Sequence, residues 1–135
     1  MLAVLDSAEM YETYRKNTEV CKKENQHELF KAVDGWEKNI IFGAGSDGTN
    51  LQAYLKMQNR DRTEAFCDNA KEKWGLSLNG VEVIEPSGLK EKGDRLVIVA
   101  SKLHSSEIQE QLTGLGVEAE RVFVCDVGRT IPSYL

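Results

Sequence analysis

The strongest constraint on this chain is a glycine loop set between a short apolar run and an amphipathic segment. Gly43-Ala44-Gly45-Ser46-Asp47-Gly48 is a G-x-G-x-x-G. In a chain with 11 glycines that pattern alone means little, and its flanks decide its value. Before it, Asn39-Ile40-Ile41-Phe42 reads as a strand buried on both faces. After it, residues 47–59 place Leu51, Tyr54, Leu55 and Gln58 on one side of a helix. A strand that turns through glycines into a helix is the arrangement that cradles a diphosphate. Gly43 is expected to make the tight turn, Gly45 to let a phosphate reach the backbone, and Gly48 to let the helix sit close on the strand. The N–H groups of the first helical turn and the helix dipole would supply the anion site. Asp47 is expected to cap that helix.

The rest of the chain keeps the same rhythm. Glu64-Ala65-Phe66-Cys67 reads as a second strand, and Asn79-Gly80 as a turn leading into Val81-Glu82-Val83-Ile84, a third strand at the sheet edge. Pro86-Ser87 opens a short helix before Gly93, and Leu96-Val97-Ile98-Val99-Ala100 is the clearest buried strand. Ser106 and Gln109 form a capping-box pattern ahead of Ile108, Leu112 and Leu115, with Gly116 as the stop. Arg121-Val122-Phe123-Val124-Cys125 is the fifth strand. Strands alternating with helices predict an α/β fold of Rossmann type, a three-layer sandwich around a mainly parallel five-stranded sheet. Right-handed crossovers favour the strand order 3-2-1-4-5. Residues 38–135 are assigned to this domain, and residues 1–37 to an N-terminal helical segment packing on it or extending it. In that segment Met10, Tyr11, Tyr14 and Cys21 form one stripe of a helix over about residues 7–23, read as a packing face or a contact with a partner subunit. Further on, Leu29, Phe30 and Val33 recur at helical spacing before Gly35.

Two further segments complete a candidate site. Asp68 stands twenty residues after Gly48, at the end of the second strand. A carboxylate there can accept hydrogen bonds from both ribose hydroxyls of an adenosine and would repel a 2′-phosphate, which favours NAD over NADP. The bland reading is a turn, since Asp68-Asn69 is good turn chemistry. Strands one and four are neighbours in the expected order, so Ala100 and Ser101 would face the ligand at the topological switch point. Ser105 or Ser106 would cap the following helix. His104 is the one acid/base candidate near the crevice and is read as solvated surface, as is His27.

Composition narrows the function. Among 135 residues, 41% are hydrophobic and 29% charged, as in an ordinary globular domain. A net charge of −5 gives no attraction to phosphate backbones or anionic lipid, so nucleic acid and membrane are not expected partners. No apolar stretch approaches the length of a membrane span. Cys21, Cys67 and Cys125 are too far apart for a zinc site or a disulfide framework. Together with the polar start Met1-Leu2-Ala3-Val4-Leu5-Asp6, which lacks a signal peptide's basic region, they predict a cytoplasmic chain.

The run Lys38 to Gly48, with Phe66-Cys67-Asp68-Asn69, Trp74-Gly75, Asn79-Gly80-Val81-Glu82-Val83 and Val97-Ile98-Val99-Ala100-Ser101, resembles a small Rossmann-type domain. It is similar to the N-terminal nucleotide-binding domain of nucleotide-sugar dehydratases and epimerases of bacterial polysaccharide synthesis, and to domains that precede sugar acyltransferases. The resemblance covers about residues 26–125. It implies binding of NAD or of a nucleotide sugar such as a UDP-sugar. Gly43, Ala44, Gly45, Ser46, Asp47 and Gly48 would surround the phosphates, Asp68 and Asn69 the ribose or base, and Ala100 and Ser101 the opposite wall. Enzymes of this kind use a Tyr-x-x-x-Lys pair. None of Tyr11, Tyr14, Tyr54 or Tyr134 has a lysine four residues later. The expectation is therefore a nucleotide-binding module without its own catalytic machinery, free-standing, homo-oligomeric or fused to a larger glycan-biosynthesis protein. An NAD-dependent oxidoreductase or epimerase module completed by another domain or chain is the alternative, and a ligand-free scaffold or regulatory domain the second.

Overall fold

The computed structural model describes residues 6–132. The start Met1-Leu2-Ala3-Val4-Leu5 and Tyr134 lie outside the described residues. Helix α1 (Ser7–Asp34) is one continuous helix of 28 residues, begun by Asp6, whose carboxylate accepts the Glu9 N–H at 2.8 Å, and stopped at Gly35. Then come β1 (Asn39–Phe42), α2 (Ser46–Met57), β2 (Thr63–Cys67), β3 (Ser77–Leu78), β4 (Val81–Ile84), β5 (Leu96–Val99), α3 (Ser105–Gly114) and β6 (Val122–Val124). A short 3-10 helix, Pro86–Glu91, precedes β5.

The sheet has six strands in the order β3-β4-β2-β1-β5-β6, where five were expected. The additional strand is β3, which pairs antiparallel with β4; every other pair is parallel. Asn79 and Gly80, at φ of 50° and 83°, form the two-residue turn that folds β3 back. Val81–Ile84 is therefore not an edge strand, because β3 covers its outer side.

Both faces of the sheet are covered, and alternation along the strands sorts the core into two halves. Ile41, Phe66, Val83 and Ile98 pack with Leu29 and Val33 of α1 and Leu51, Tyr54 and Leu55 of α2. Ile40, Phe42, Cys67, Val97 and Val99 pack with Leu89 and with Ile108 and Leu112 of α3. β1 and β5 are buried along their whole length, as parallel strands between two helical layers must be.

Only the end of α1 belongs to this core. Asn25 and Gln26 donate to the carbonyls of Arg129 and Thr130, and Phe30 stacks on Tyr54 with Arg60 over its ring. The stripe expected to pack nearer its start is instead open to solvent: Met10, Tyr11 and Tyr14 are each more than half exposed, and Cys21 is exposed too. Their spacing is helical, but the segment of Gly128 and Arg129, which borders the groove beside Tyr14 and Cys21, leaves this face open.

Candidate functional site

The register brings the candidate residues to one level. Phe42 stands opposite Cys67 on one side and Val99 on the other. The ladder continues one residue further, with Gly43 N–H donating to Cys67 O at 2.8 Å and Ala100 N–H to Phe42 O at 3.0 Å. Gly43, Asp68 and Ala100 therefore leave the sheet side by side. The crevice they open has a volume of about 480 Å³ and lies between the glycine loop, the end of β2 and one face of α3. That size falls within the range of small-molecule sites.

The glycines differ in what they do. Gly43 has a φ of +128°, and a Cβ there would come within 3.2 Å of Ala100 O. A Cβ on Gly48 would lie 1.8 Å from Gly43 O, so only glycine lets α2 come this close to the loop. Around Gly45 a Cβ would meet nothing within 4 Å, and the residue is exposed on the crevice side. Gly45 is also the residue that caps α2. The helical bonding begins with Thr49 N–H to Gly45 O at 3.1 Å, so the N–H groups of Ser46, Asp47 and Gly48 have no intrahelical acceptor. Asp47 is not the cap: it sits within the first helical turn, exposed, with no capping hydrogen bond.

Asp68 holds the loop in place. One carboxylate oxygen accepts the Ala44 N–H at 2.8 Å and the other the Ala70 N–H at 2.8 Å, with Lys73 Nζ 3.7 Å away. Its backbone carbonyl accepts the Trp74 indole N–H at 2.7 Å. Ala44 is buried against the α1–α2 side of the core and does not line the crevice. The other expected residues, Gly43, Gly45, Ser46, Asp47, Gly48, Asp68, Asn69, Ala100 and Ser101, all do.

Of the wall opposite, sequence reasoning placed only His104 near the crevice and missed the rest. His104, Glu107, Ile108 and Gln111 line it at the i, i+3, i+4, i+7 spacing of one helical face. The apolar periodicity marked the face of Ile108 and Leu112 that packs on the sheet, and Glu107 and Gln111 beside it read as surface. Neither Ser105 nor Ser106 caps this helix. His104 occupies the capping position without a side-chain bond, Ser105 Oγ donates back to Lys102 O, and Ser106 lies inside the helix, so the expected capping box does not form. Across the crevice, Asn69 and Gln111 join their side-chain amides in a reciprocal pair, at 2.9 and 2.7 Å.

Among the described residues three carboxylates, Asp47, Asp68 and Glu107, face the crevice, and His104, 3.5 Å from Glu107, is the only basic side chain lining it. Such a site disfavours ligands with several unshielded phosphate charges. Among the described residues no cluster of metal-ligating side chains occurs, and no helix is long and apolar enough to cross a membrane.

Solved structures place this architecture among Rossmann-like folds. UDP-D-quinovosamine 4-dehydrogenase from Vibrio fischeri is 28% identical, with a TM-score of 0.54 over 66% of this chain and 77% of its own. RSP, a Rex-family repressor, is 18% identical, with a TM-score of 0.53 over 76% of this chain and 59% of its own. The same repressor in complex with beta-NAD+ and operator DNA is 17% identical, with a TM-score of 0.51 over 66% and 49%. At that identity the repressors bear on the fold alone. No curated protein sequence matches the chain. The family described as C2185-like, N-terminal, matches residues 35–123, from the end of α1 to β6, and the chain is a member of that family.

Proposed function

We propose that this chain is a nucleotide-binding module that takes NAD or a nucleotide sugar such as a UDP-sugar, carries no catalytic machinery of its own, and serves polysaccharide or surface-sugar biosynthesis. The observation that carries the reading is the convergence on one crevice of an exposed Gly45, the unpaired N–H groups opening α2, and the Asp68 carboxylate. The open space at Gly45 suits a diphosphate, which the helix terminus would bind through N–H groups rather than through cations. Asp68 uses one lone pair of one oxygen for the glycine loop and one of the other for the chain leaving β2, which leaves acceptor capacity for ribose hydroxyls. The carboxylate-rich lining favours a diphosphate esterified at both ends, as in NAD or a nucleotide sugar, over a free di- or triphosphate. The link to sugar metabolism draws on the 28% identity to a UDP-sugar dehydrogenase. That relative also supports a second reading, an NAD-dependent oxidoreductase part whose catalytic residues come from another domain or chain.

Thermal shift against NAD, NADP, UDP-N-acetylglucosamine and UDP tests the proposal. A ligand at 100 times its dissociation constant raises stability by about 2.7 kcal/mol, so at least one of the four should raise the melting temperature by several degrees. Silence from all four overturns the binding reading. Hydride transfer between NAD and the UDP-sugar by the isolated chain would overturn the non-catalytic part of it.

A further inference from the structure

The amide pair across the crevice supports a deeper reading of the same site. Asn69 follows Asp68 directly, while Gln111 stands on α3, 42 residues further along the chain. Both line the crevice, and their two hydrogen bonds bridge it from the residue beside Asp68 to α3. If ribose hydroxyls sit on Asp68, as the proposed function requires, the base attached to that ribose extends toward Asn69 and meets the closed pair. A primary amide offers a donor beside an acceptor. The reading edges of uracil and adenine also offer a donor beside an acceptor, so a base can take the place of one amide and satisfy the other.

We infer that Asn69 and Gln111 form a gate at the base end of the site, in which Gln111 swings away and Asn69 pairs with the incoming nucleobase. The assignment of roles follows from how each is held. The backbone on either side of Asn69 is fixed by the Asp68 carbonyl's bond to Trp74 and by the Ala70 N–H on the Asp68 carboxylate. Gln111 has one more rotatable bond, stands on a helix surface, and has solvent beside it. Gln111 can therefore leave the pair by turning its longer side chain, whereas the fixed backbone at Asn69 keeps its amide, the more exposed of the two, beside Asp68.

This mechanism makes the two partners respond in opposite directions. In the free protein the closed pair withholds Asn69, so the apparent dissociation constant is raised by the reciprocal of the open fraction. Gln111→Ala removes the competitor and should tighten nucleotide binding about fivefold, corresponding to an open fraction of about one in five. Asn69→Ala removes the base's two neutral hydrogen bonds, about fiftyfold, and also abolishes the closed pair, about fivefold in the other direction, so binding should weaken about tenfold. Symmetric dimethyl diphosphate, which is esterified at both ends as the lining favours and has no base, should bind the parent and both variants alike.

The inference rests on the nucleotide-binding reading, and titration calorimetry with NAD, UDP-N-acetylglucosamine and dimethyl diphosphate separates their failures. If the parent binds neither nucleotide, the binding reading falls and the gate with it. If the parent binds one and the two variants change its affinity in the same direction, or not at all, the gate alone is overturned. Equal shifts for dimethyl diphosphate would also overturn it, because they would place the effect on the loop and not on the base. Melting curves of the unliganded variants confirm that both are folded; opposite affinity changes confined to the nucleotide support the gate.

Discussion

Replacing Gly48 by alanine should unfold this protein more readily, although alanine is the better helix former. The added Cβ would lie 1.8 Å from Gly43 O and 2.9 Å from Gly43 C, with Ile41 Cγ2 at 3.4 Å. The first contact is more than 1 Å shorter than any distance a real Cβ tolerates. Both sides of it are backbone, so no rotamer change relieves it. Gly48 has a helical backbone rather than a left-handed one, so the cost is purely one of space. Overpacking of this kind costs about 3 kcal/mol at the upper end of its usual range, and helix propensity returns about 1 kcal/mol. The net loss is about 2 kcal/mol, or a fall of roughly 6–10 °C in Tm for a domain of this size.

The assay is thermal and urea unfolding followed by circular dichroism, with an unchanged urea slope showing that the transition remains two-state. Gly45→Ala is the internal control, since its Cβ would meet nothing within 4 Å. Its Tm should stay within about 2 °C of the parent, a surface-substitution effect, while nucleotide affinity falls because the methyl occupies the space offered to phosphate. A Gly48→Ala protein as stable as the parent would refute the close approach of α2 to the loop, and with it the reason for glycine at this position.

Two other predictions concern groups away from the crevice. Burial pushes the Cys67 thiol up to about 12 and the Cys125 thiol up to about 11, whereas Cys21 is exposed. At pH 8 in native buffer, iodoacetamide should therefore label Cys21 alone, and all three in urea; rapid native labelling of Cys67 would contradict its place in the core. At the opposite end of the sheet, Arg95 donates to Glu64 at 2.7 Å, and that hydrogen bond, against the opposing effect of burial, holds the Glu64 carboxyl below its usual range. A depressed carboxyl contributes stability above its unfolded pKa of about 4.3 and loses it as the pH falls through the folded value. The stability gap between the parent and Glu64→Gln, read from urea midpoints, should accordingly narrow below about pH 4; a gap independent of pH would remove the pair from the account.

The parts of the fold that were legible in the sequence are those written in continuous apolar runs. β1 and β5 are buried on both faces, so every side chain in Ile40-Ile41-Phe42 and Val97-Ile98-Val99 reports its environment. β3 has two residues and one half-buried side chain, Leu78, so it leaves no periodic trace; the only hint was the Asn79-Gly80 turn that creates it. Helix caps were misread for a different reason. Asp47, Ser105 and Ser106 are all suitable cap residues standing near a helix start, and the choice among such neighbours is set by where the preceding strand delivers the chain. The stripe of Met10, Tyr14 and Cys21 shows the converse limit, since helical spacing of apolar residues marks a face without stating that anything covers it.

Asp68 lines the crevice and also carries a role its place in the sequence did not suggest. Twenty residues after Gly48, it invites assignment to a ribose, yet both its oxygens already accept backbone N–H groups, one from the glycine loop and one from the chain leaving β2. The carboxylate thus joins two of the loops that wall the crevice before any ligand arrives. A loss of binding in Asp68→Ala would therefore not by itself identify a ligand contact, because the Ala44 N–H would lose its acceptor and the loop its anchor. Hydrogen bonds to a charged group contribute about 1.5–3 kcal/mol each, and water can replace part of that at this half-buried position. Asp68→Ala should consequently lower the melting temperature of the unliganded protein, whereas a residue serving only the ligand would leave it unchanged. A normal unliganded melting curve with weakened nucleotide binding would return Asp68 to the ribose alone. A lowered curve means that the preorganised shape of the glycine loop is partly made by the residue expected to face it, and the ligand's apparent affinity then includes the cost of holding that loop in place.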